Sequence, residues 1–430
     1  MLRPSSILFV LLVLLVLSVV IPARAQVLTL QDVERRVVAA DATRSARAKI
    51  TQMDAELDVA RSGRRPVVTL NTEASASPGG RLIDVESVGG ERFLVQGSRP
   101  LGEPGAFTII PRYGGLLSAH ADIFDFGRTA SRIRAAEHRA RATRAEEQAL
   151  TSDLLRTTRE AYLAWAVTHA RLALAEQHER EGRARAETLR GLIAEGTRPA
   201  ADRNAADQDE VALGIEVTDA RAERDRALLR LEHLAGGPWP AAMLPDLGLL
   251  EIPTDRAPEE APSLAAAALE QQAAAAAAMA DSAAHDHAPL ISAAAEAGVR
   301  GQSSEVFPAY RVAVTVTVPL WDGGTGSAHA RAARAEAEAL QAEAGASRKS
   351  RETEQRLARG DLQHAQEKLR LAARLRQLAQ NELEQTNERY RLGAIDLRAI
   401  LDVRERLSRA EAQELVAKAE RASAWLRAQP

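Results

Sequence analysis

The sequence predicts a mixed fold, part membrane β-barrel and part long α-helical coiled-coil tunnel, each chain giving four strands and two long helical hairpins. Three observations carry this. Residues 127–195 and 326–392 are proline-free runs of helix formers, each about 100 Å long at 1.5 Å per residue. Four shorter segments alternate apolar and polar residues with period two. No stretch after residue 25 approaches a transmembrane helix, so a chain of this kind that enters a membrane does so as strands.

The first element is a leader. Arg3 supplies a positive charge, residues 7–21 are almost unbroken Leu and Val, and Ala23-Arg24-Ala25 gives the small-x-small pattern of a signal-peptidase site. The apolar run is shorter than the roughly 20 residues of a spanning helix. Residues 1–25 therefore read as a signal peptide, with the mature chain starting outside the cytoplasm at Gln26. The chain has no cysteine, which excludes disulfides, thiolate metal sites, thiol nucleophiles and a lipid anchor on an N-terminal cysteine. A net charge of −3 gives no electrostatic footprint for nucleic acid. Aromatics at 3% are too few for a globular core of this length, whereas abundant alanine and 27% charged residues suit long helices packed through small side chains.

Next comes an internal duplication. Phe124-Asp125-Phe126-Gly127 and Leu320-Trp321-Asp322-Gly323-Gly324 each close a strand region, and each is followed by a long helix ending in glycine, Gly196 or Gly393. Asp125 and Asp322 lie 197 residues apart, and so do Gly196 and Gly393, so the long segments share one length. Residues 26–257 read as a first repeat of helix, two strands, hairpin and connector, and residues 258–430 as a second. Leu154, Leu155, Tyr162, Trp165, Leu172 and Leu174 mark an apolar stripe on one long helix; Leu369, Leu371, Leu375, Leu378 and Leu383 mark one on the other. Both helices turn at a glycine suited to a left-handed C-cap, and Pro199 suits the start of a returning helix. The alanine run 265–280 reads as a helix equivalent to residues 39–61, each stopping before a proline, Pro289 or Pro66. Residues 236–262, rich in Pro and Gly, read as a connector lying against the helices.

The four alternating segments come last. Val68, Leu70, Ala74 and Ala76 oppose Thr69, Asn71, Glu73 and Ser75; Leu117, Ala119, Ala121 and Ile123 oppose Ser118, His120 and Asp122. Ile291, Ala293, Ala295 and Val299 oppose Ser292 and Glu296; Val312, Val314, Val316 and Val318 oppose Arg311, Thr315 and Thr317. One apolar and one polar face is the pattern of a lipid-facing exterior and a wet lumen, with Tyr310 at one end and Phe124 and Trp321 at the other as interfacial aromatics. Four strands cannot close a membrane barrel, for which about eight is the minimum. A shared barrel follows, and three chains supply twelve strands. Residues 78–114 read as a long polar loop between the first two strands.

This layout resembles the TolC family of outer-membrane efflux and secretion channels. The resemblance spans the mature chain and rests on the duplicated order, the two strand-to-helix junctions, and Tyr390-Arg391-Leu392-Gly393 followed by Leu401-Asp402. It implies a homotrimer in the cell outer membrane, with a twelve-stranded barrel continued by a twelve-helix periplasmic tunnel. It also implies a passive exit duct of a tripartite efflux pump or type I secretion system, opened by a periplasmic adaptor protein and an inner-membrane transporter. By the same resemblance Gly196, Thr197, Gly393, Ala394, Ile395 and Asp396 form the tips that meet the adaptor, and Asp402 rings the pore entrance. Ala399 stands where a second acidic tier is expected, and Ile395 where an arginine is. Tyr390 and Asp202 match a pair that latches the hairpins when shut.

Independently of the family, three ionised Asp402 carboxylates on a narrow axis would repel one another and attract cations. His285-Asp286-His287 carries metal-ligand chemistry but no further ligand beside it, so no metal or other cofactor is expected. Gly79-Gly80 and Gly89-Gly90 lack a P-loop lysine, and there is no serine–histidine–acid grouping with a nucleophile elbow, so an enzyme is not expected. The competing reading is a periplasmic coiled-coil adaptor or scaffold carrying a small soluble sheet.

Overall fold

The computed structural model describes residues 26–78, 82–86, 92–96, 109–239, 243–251, 262–302 and 305–428. The leader expected at residues 1–25 lies outside them. Two compact units divide the chain: residues 49–144 with 267–344, and residues 1–48 with 145–266 and 345–430.

The first unit holds a four-stranded antiparallel sheet ordered β2 (Val67–Pro78), β5 (Ile109–Phe124), β7 (Leu290–Gln302), β8 (Glu305–Thr317). Register turns the four alternating patterns into two faces. Val68 pairs with Ala119, Ala119 with Ala295, and Ala295 with Val312, giving one apolar row. The next position along gives a polar row through Thr69, Ser118, Glu296 and Arg311. In the single chain the apolar face is uncovered: Val68, Leu70, Leu117, Val314 and Val316 are exposed, and Val312 is 84% so. A soluble sheet packed on helices would bury that face. β2 and β8 are both edges. The strands extend beyond the alternating segments, β5 reaching 16 residues. The segment read as a loop is partly strand: β2 runs to Pro78, β5 starts at Ile109, and β3 (Leu82–Glu86) pairs with β4 (Arg92–Gln96) between them.

The second unit contains the hairpins. α3 (Arg128–Ala194) and α6 (Thr325–Arg391) are both 67 residues long and start 197 residues apart. They belong partly to each unit, dividing at Arg144 and at Ala344. α3 returns as α4 (Ala201–Leu234), and α6 as α7 (Leu397–Ala428). Ion pairs set the register of the second hairpin: Lys368 to Glu420 at 2.6 Å, Arg376 to Glu414, and Glu382 to Arg406 at 2.9 Å. One partner climbs as the other descends, so the helices run antiparallel.

The buried seam of α6 is not the leucine stripe. Ala330, Ala337, Ala344, Ala358, Ala365, Ala372 and Ala379 are buried at multiples of seven, while Leu357, Leu371, Leu375 and Leu378 are exposed. α7 repeats the pattern with Val403, Ala410, Ala417 and Ala424. The ion-pair register sets Ala365, Ala372 and Ala379 level with Ala424, Ala417 and Ala410. A strict period of seven lets two helices stay in contact by supercoiling, and alanine lets them approach closely. On α3 the expected stripe holds better, with Tyr162, Trp165 and Leu172 buried.

The helix expected over residues 39–61 is α2 (Asp41–Ser62), and a separate α1 (Leu30–Val38), started by a Thr29–Asp32 capping box, precedes it. The connector holds β6 (Met243–Pro245), which pairs in parallel with β1 (Gln26–Leu28), and a short 3₁₀ turn, Leu247–Glu251. Leu28, Val33, Val37, Tyr162, Trp165 and Leu231 form the core beneath them. α5 (Leu264–Ala284) is the alanine-rich helix.

Candidate functional site

Both tips are built by one local rule. Gly196 (φ 72°) and Gly393 (φ 73°) take the left-handed conformation that an L side chain resists. That lets the Thr197 N–H reach Leu192 O at 3.0 Å and the Gly196 N–H reach Ile193 O at 3.0 Å, closing the last turn of α3. At the other tip, Ala394 N–H reaches Arg389 O at 2.9 Å and Gly393 N–H reaches Tyr390 O at 3.0 Å. Both are Schellman motifs. Gly196, Thr197, Gly393, Ala394 and Asp396 are exposed, and Ile395 is half-buried. Asp396 has a structural job: its carboxylate accepts the Ala399 N–H at 3.1 Å and caps α7. α4 has no side-chain cap and begins just after Pro199 and Ala200.

The strand-to-helix junctions explain the duplicated aspartates. Asp125 accepts the N–H groups of Gly127 at 3.1 Å and Thr129 at 2.5 Å; Asp322 accepts those of Gly324 at 2.8 Å and Gly326 at 2.7 Å. Each carboxylate thus caps a long helix. Burial opposes ionisation of Asp125, but the bonds from Thr129 and Gly127 and the Arg128 charge outweigh it and lower its pKa. The Gly326 bond is the main cause lowering that of Asp322. Two successive positive-φ residues follow each aspartate. Gly323 and Gly324 supply them freely, whereas Phe126 (φ 55°) stores strain on the order of 1 kcal/mol before Gly127. The His285-Asp286-His287 run is drawn into these junctions: Arg128 Nε lies 3.4 Å from the Asp286 carboxylate, and His287 Nε2 lies 3.4 Å from Asp322. No cluster of three or more potential metal ligands occurs among the described residues.

Around the tips the hairpins enclose a groove of about 960 Å³, lined by Arg185, Leu189, Tyr390, Leu397, Ile400 and Arg404. Arg404 pairs with Glu181 at 3.4 Å, and burial, helped by the nearby Arg185, lowers its pKa. Further along, His178 Nε2 meets Glu411 at 2.8 Å and its Nδ1 lies 3.3 Å from the Ser408 hydroxyl, joining α3 to α7. Asp402 is exposed on α7 and Ala399 is half-buried.

Tyr390 does not bond to Asp202. Its hydroxyl is buried without a hydrogen-bond partner, and burial chiefly raises its pKa, with Arg198 opposing and Asp202 adding. Its partner is Arg198, whose guanidinium lies 3.8 Å from the Tyr390 ring centroid and donates to the Tyr390 carbonyl at 3.0 Å. Sequence reasoning passed over Arg198. The only signal was its place before Pro199 in the turn, because its partner is 192 residues away.

With that geometry in hand, the comparisons are consistent. A family model described as outer membrane efflux protein matches residues 40–237 and 254–427. The chain belongs to the outer membrane efflux protein family, and its place is the cell outer membrane with the helical part in the periplasm. Among solved structures it is similar to the open state of the Neisseria gonorrhoeae MtrE outer membrane channel (TM-score 0.76, 18% identity, 93% of this chain and 87% of that one). It is likewise similar to the outer membrane protein VceC of Vibrio cholerae (0.74, 18%, 93% and 94%) and the Campylobacter jejuni CmeC outer membrane channel (0.73, 12%, 93% and 84%). At those identities the likeness is one of fold. No curated protein sequence matches.

Proposed function

We propose that this chain is one of three identical subunits of a passive outer-membrane exit duct, serving a tripartite efflux pump or a type I secretion system. The observation that carries the reading is the sheet: four strands with an exposed apolar face, a polar opposite face and two free edges. An open edge of that length invites pairing with another strand, and in lipid every backbone group needs a partner. Three copies joined edge to edge give a closed twelve-stranded barrel. Exposed Val211, Ile215 and Leu229 on α4, with Leu357, Leu371, Leu375 and Leu378 on α6, supply apolar stripes for neighbouring copies. Twelve helices then continue the barrel as a tube, with the tips as its entrance and as the docking place for a periplasmic adaptor linked to an inner-membrane transporter. No residue grouping that would support a chemical step occurs among the described residues, and in this reading energy comes from the transporter.

At the entrance Asp402, nine residues past Gly393, contributes one carboxylate per subunit to a ring. Planar-bilayer recordings test the reading. The purified protein should conduct with a preference for cations, and Asp402→Arg should move selectivity towards anions because the ring changes sign. Since Ala399 leaves a single acidic tier, one substitution is enough. Absence of any conductance from well-folded protein would remove the duct; unchanged selectivity in Asp402→Arg would take Asp402 out of the pore.

A further inference from the structure

We propose that the groove between the two hairpins is a binding site for a small amphipathic anion, an apolar ring or chain bearing one carboxylate, held by Arg185, Arg404 and the Tyr390 hydroxyl. The site goes beyond the exit-duct reading, since it requires no conduction.

The lining comes from both hairpins and lies within one compact unit. On α7, Leu397, Ile400 and Arg404 recur at helical spacing and share a face; on α3, Arg185 and Leu189 do the same. Leu189, Leu397 and Ile400 are buried and give an apolar floor. The volume, about 960 Å³, falls in the roughly 300–1,000 Å³ range of small-molecule sites. A largely apolar wall with a few convergent polar groups is also the pattern of such sites.

The polar groups are where this groove is unfinished. Arg185 Nη1, Arg404 Nε and the Tyr390 hydroxyl are all buried, and none has a hydrogen-bond partner. All three are donors, because burial chiefly raises the Tyr390 pKa and its hydroxyl keeps its proton. Buried donors left unpaired are costly, so their grouping calls for an acceptor. Charge calls for the same ligand. The two guanidiniums stand close enough that Arg185 helps to lower the Arg404 pKa, and an anion between them relieves that repulsion. Asp209 meets Arg185 Nη2 at 3.1 Å and Glu181 meets Arg404 Nη1 at 3.4 Å, so each engages a different nitrogen from the unpaired one. Those two carboxylates already offset much of the positive charge, which suits the site to a single negative charge. A planar carboxylate also matches the guanidinium fork. The other charges on the lining, Glu384, Glu388 and Arg391, are exposed and screened by water.

Isothermal titration calorimetry with 2-naphthoate, and with 2-naphthamide as its uncharged isostere, tests the site on the purified protein held in amphipol, against amphipol alone. Naphthoate should bind saturably at one per chain and at least about tenfold more tightly than naphthamide, as expected for charge-assisted hydrogen bonds. Arg185→Gln and Arg404→Gln should each weaken naphthoate about tenfold while leaving naphthamide almost unchanged, and Tyr390→Phe should weaken it about threefold. Circular dichroism checks that each variant folds, and the comparison of the two probes on wild type needs no variant. Absence of saturable naphthoate binding, the result for a groove that holds water only, overturns the site. Equal affinity for the two probes overturns it too, as does unchanged naphthoate affinity in either folded arginine variant. Bilayer recordings test the duct separately: a protein that binds naphthoate as described but never conducts keeps the site and loses the duct.

Discussion

The Tyr162 hydroxyl is buried between two backbone groups far apart in sequence, donating to Leu28 O at 2.6 Å and accepting from Asp246 N–H at 2.8 Å. It ties β1 to the connector, edge-on to Trp165 at 5.8 Å between centroids. Burial pushes its pKa up to about 12, so it remains a donor at any physiological pH. Tyr162→Phe keeps the packing but leaves a carbonyl and an N–H without their partner. Its expected cost is about 1–3 kcal/mol, seen as a lower thermal midpoint with an unchanged circular dichroism spectrum. At this scale legibility was uneven. Asp125 and Asp322 stood out as repeated motif residues, yet their capping role depends on backbone geometry that a motif does not state. Gly196 and Gly393 were readable because only a left-handed turn explains glycine there. Arg198 and Tyr390 were not readable as a pair, since nothing local to either residue specifies the other.

Among the elements, the long helices were legible in length but not in packing face. Leucine drew attention to the exposed side of α6, while the buried seam is written in alanine at intervals of seven. Alanine adds little to a hydrophobic stripe, so its value is steric: it sets how closely α6 and α7 approach. The two hairpins are joined by ionic contacts, among them His178–Glu411, in which the histidine carries charge only when protonated. The bond to Glu411 is the main cause raising the His178 pKa; burial opposes it, and Glu181 on α3 and Glu216 on α4 add to the rise. A histidine raised in the folded state stabilises fully below its unfolded pKa of about 6.5 and loses that contribution as pH climbs through the folded value. Backbone hydrogen exchange near Glu411 should therefore quicken as pH rises above about 6.5, after correction for intrinsic rates. His178→Gln should abolish the extra pH dependence, and equal pH profiles for the two proteins would show that the contact does not matter.

For the whole molecule, the sequence laid out the duplicated order, the four strands and the two hairpins: the strands carry a period of two, and the hairpins are long proline-free runs that turn at a glycine. β1, β6, α1 and the β3–β4 hairpin escaped it, being too short or too dependent on distant partners to leave a periodic trace. Assembly is legible only as incompleteness: an apolar sheet face open to solvent, two unpaired edges, and leucines exposed on helices whose other faces are buried. None of the described helices is long and apolar enough to cross a membrane. The most direct measurement is the mass of the protein in mild detergent, by light scattering corrected for bound detergent. Three chains per particle is the expected result. A monomer retaining its full strand content by circular dichroism would contradict the shared barrel and, with it, the channel.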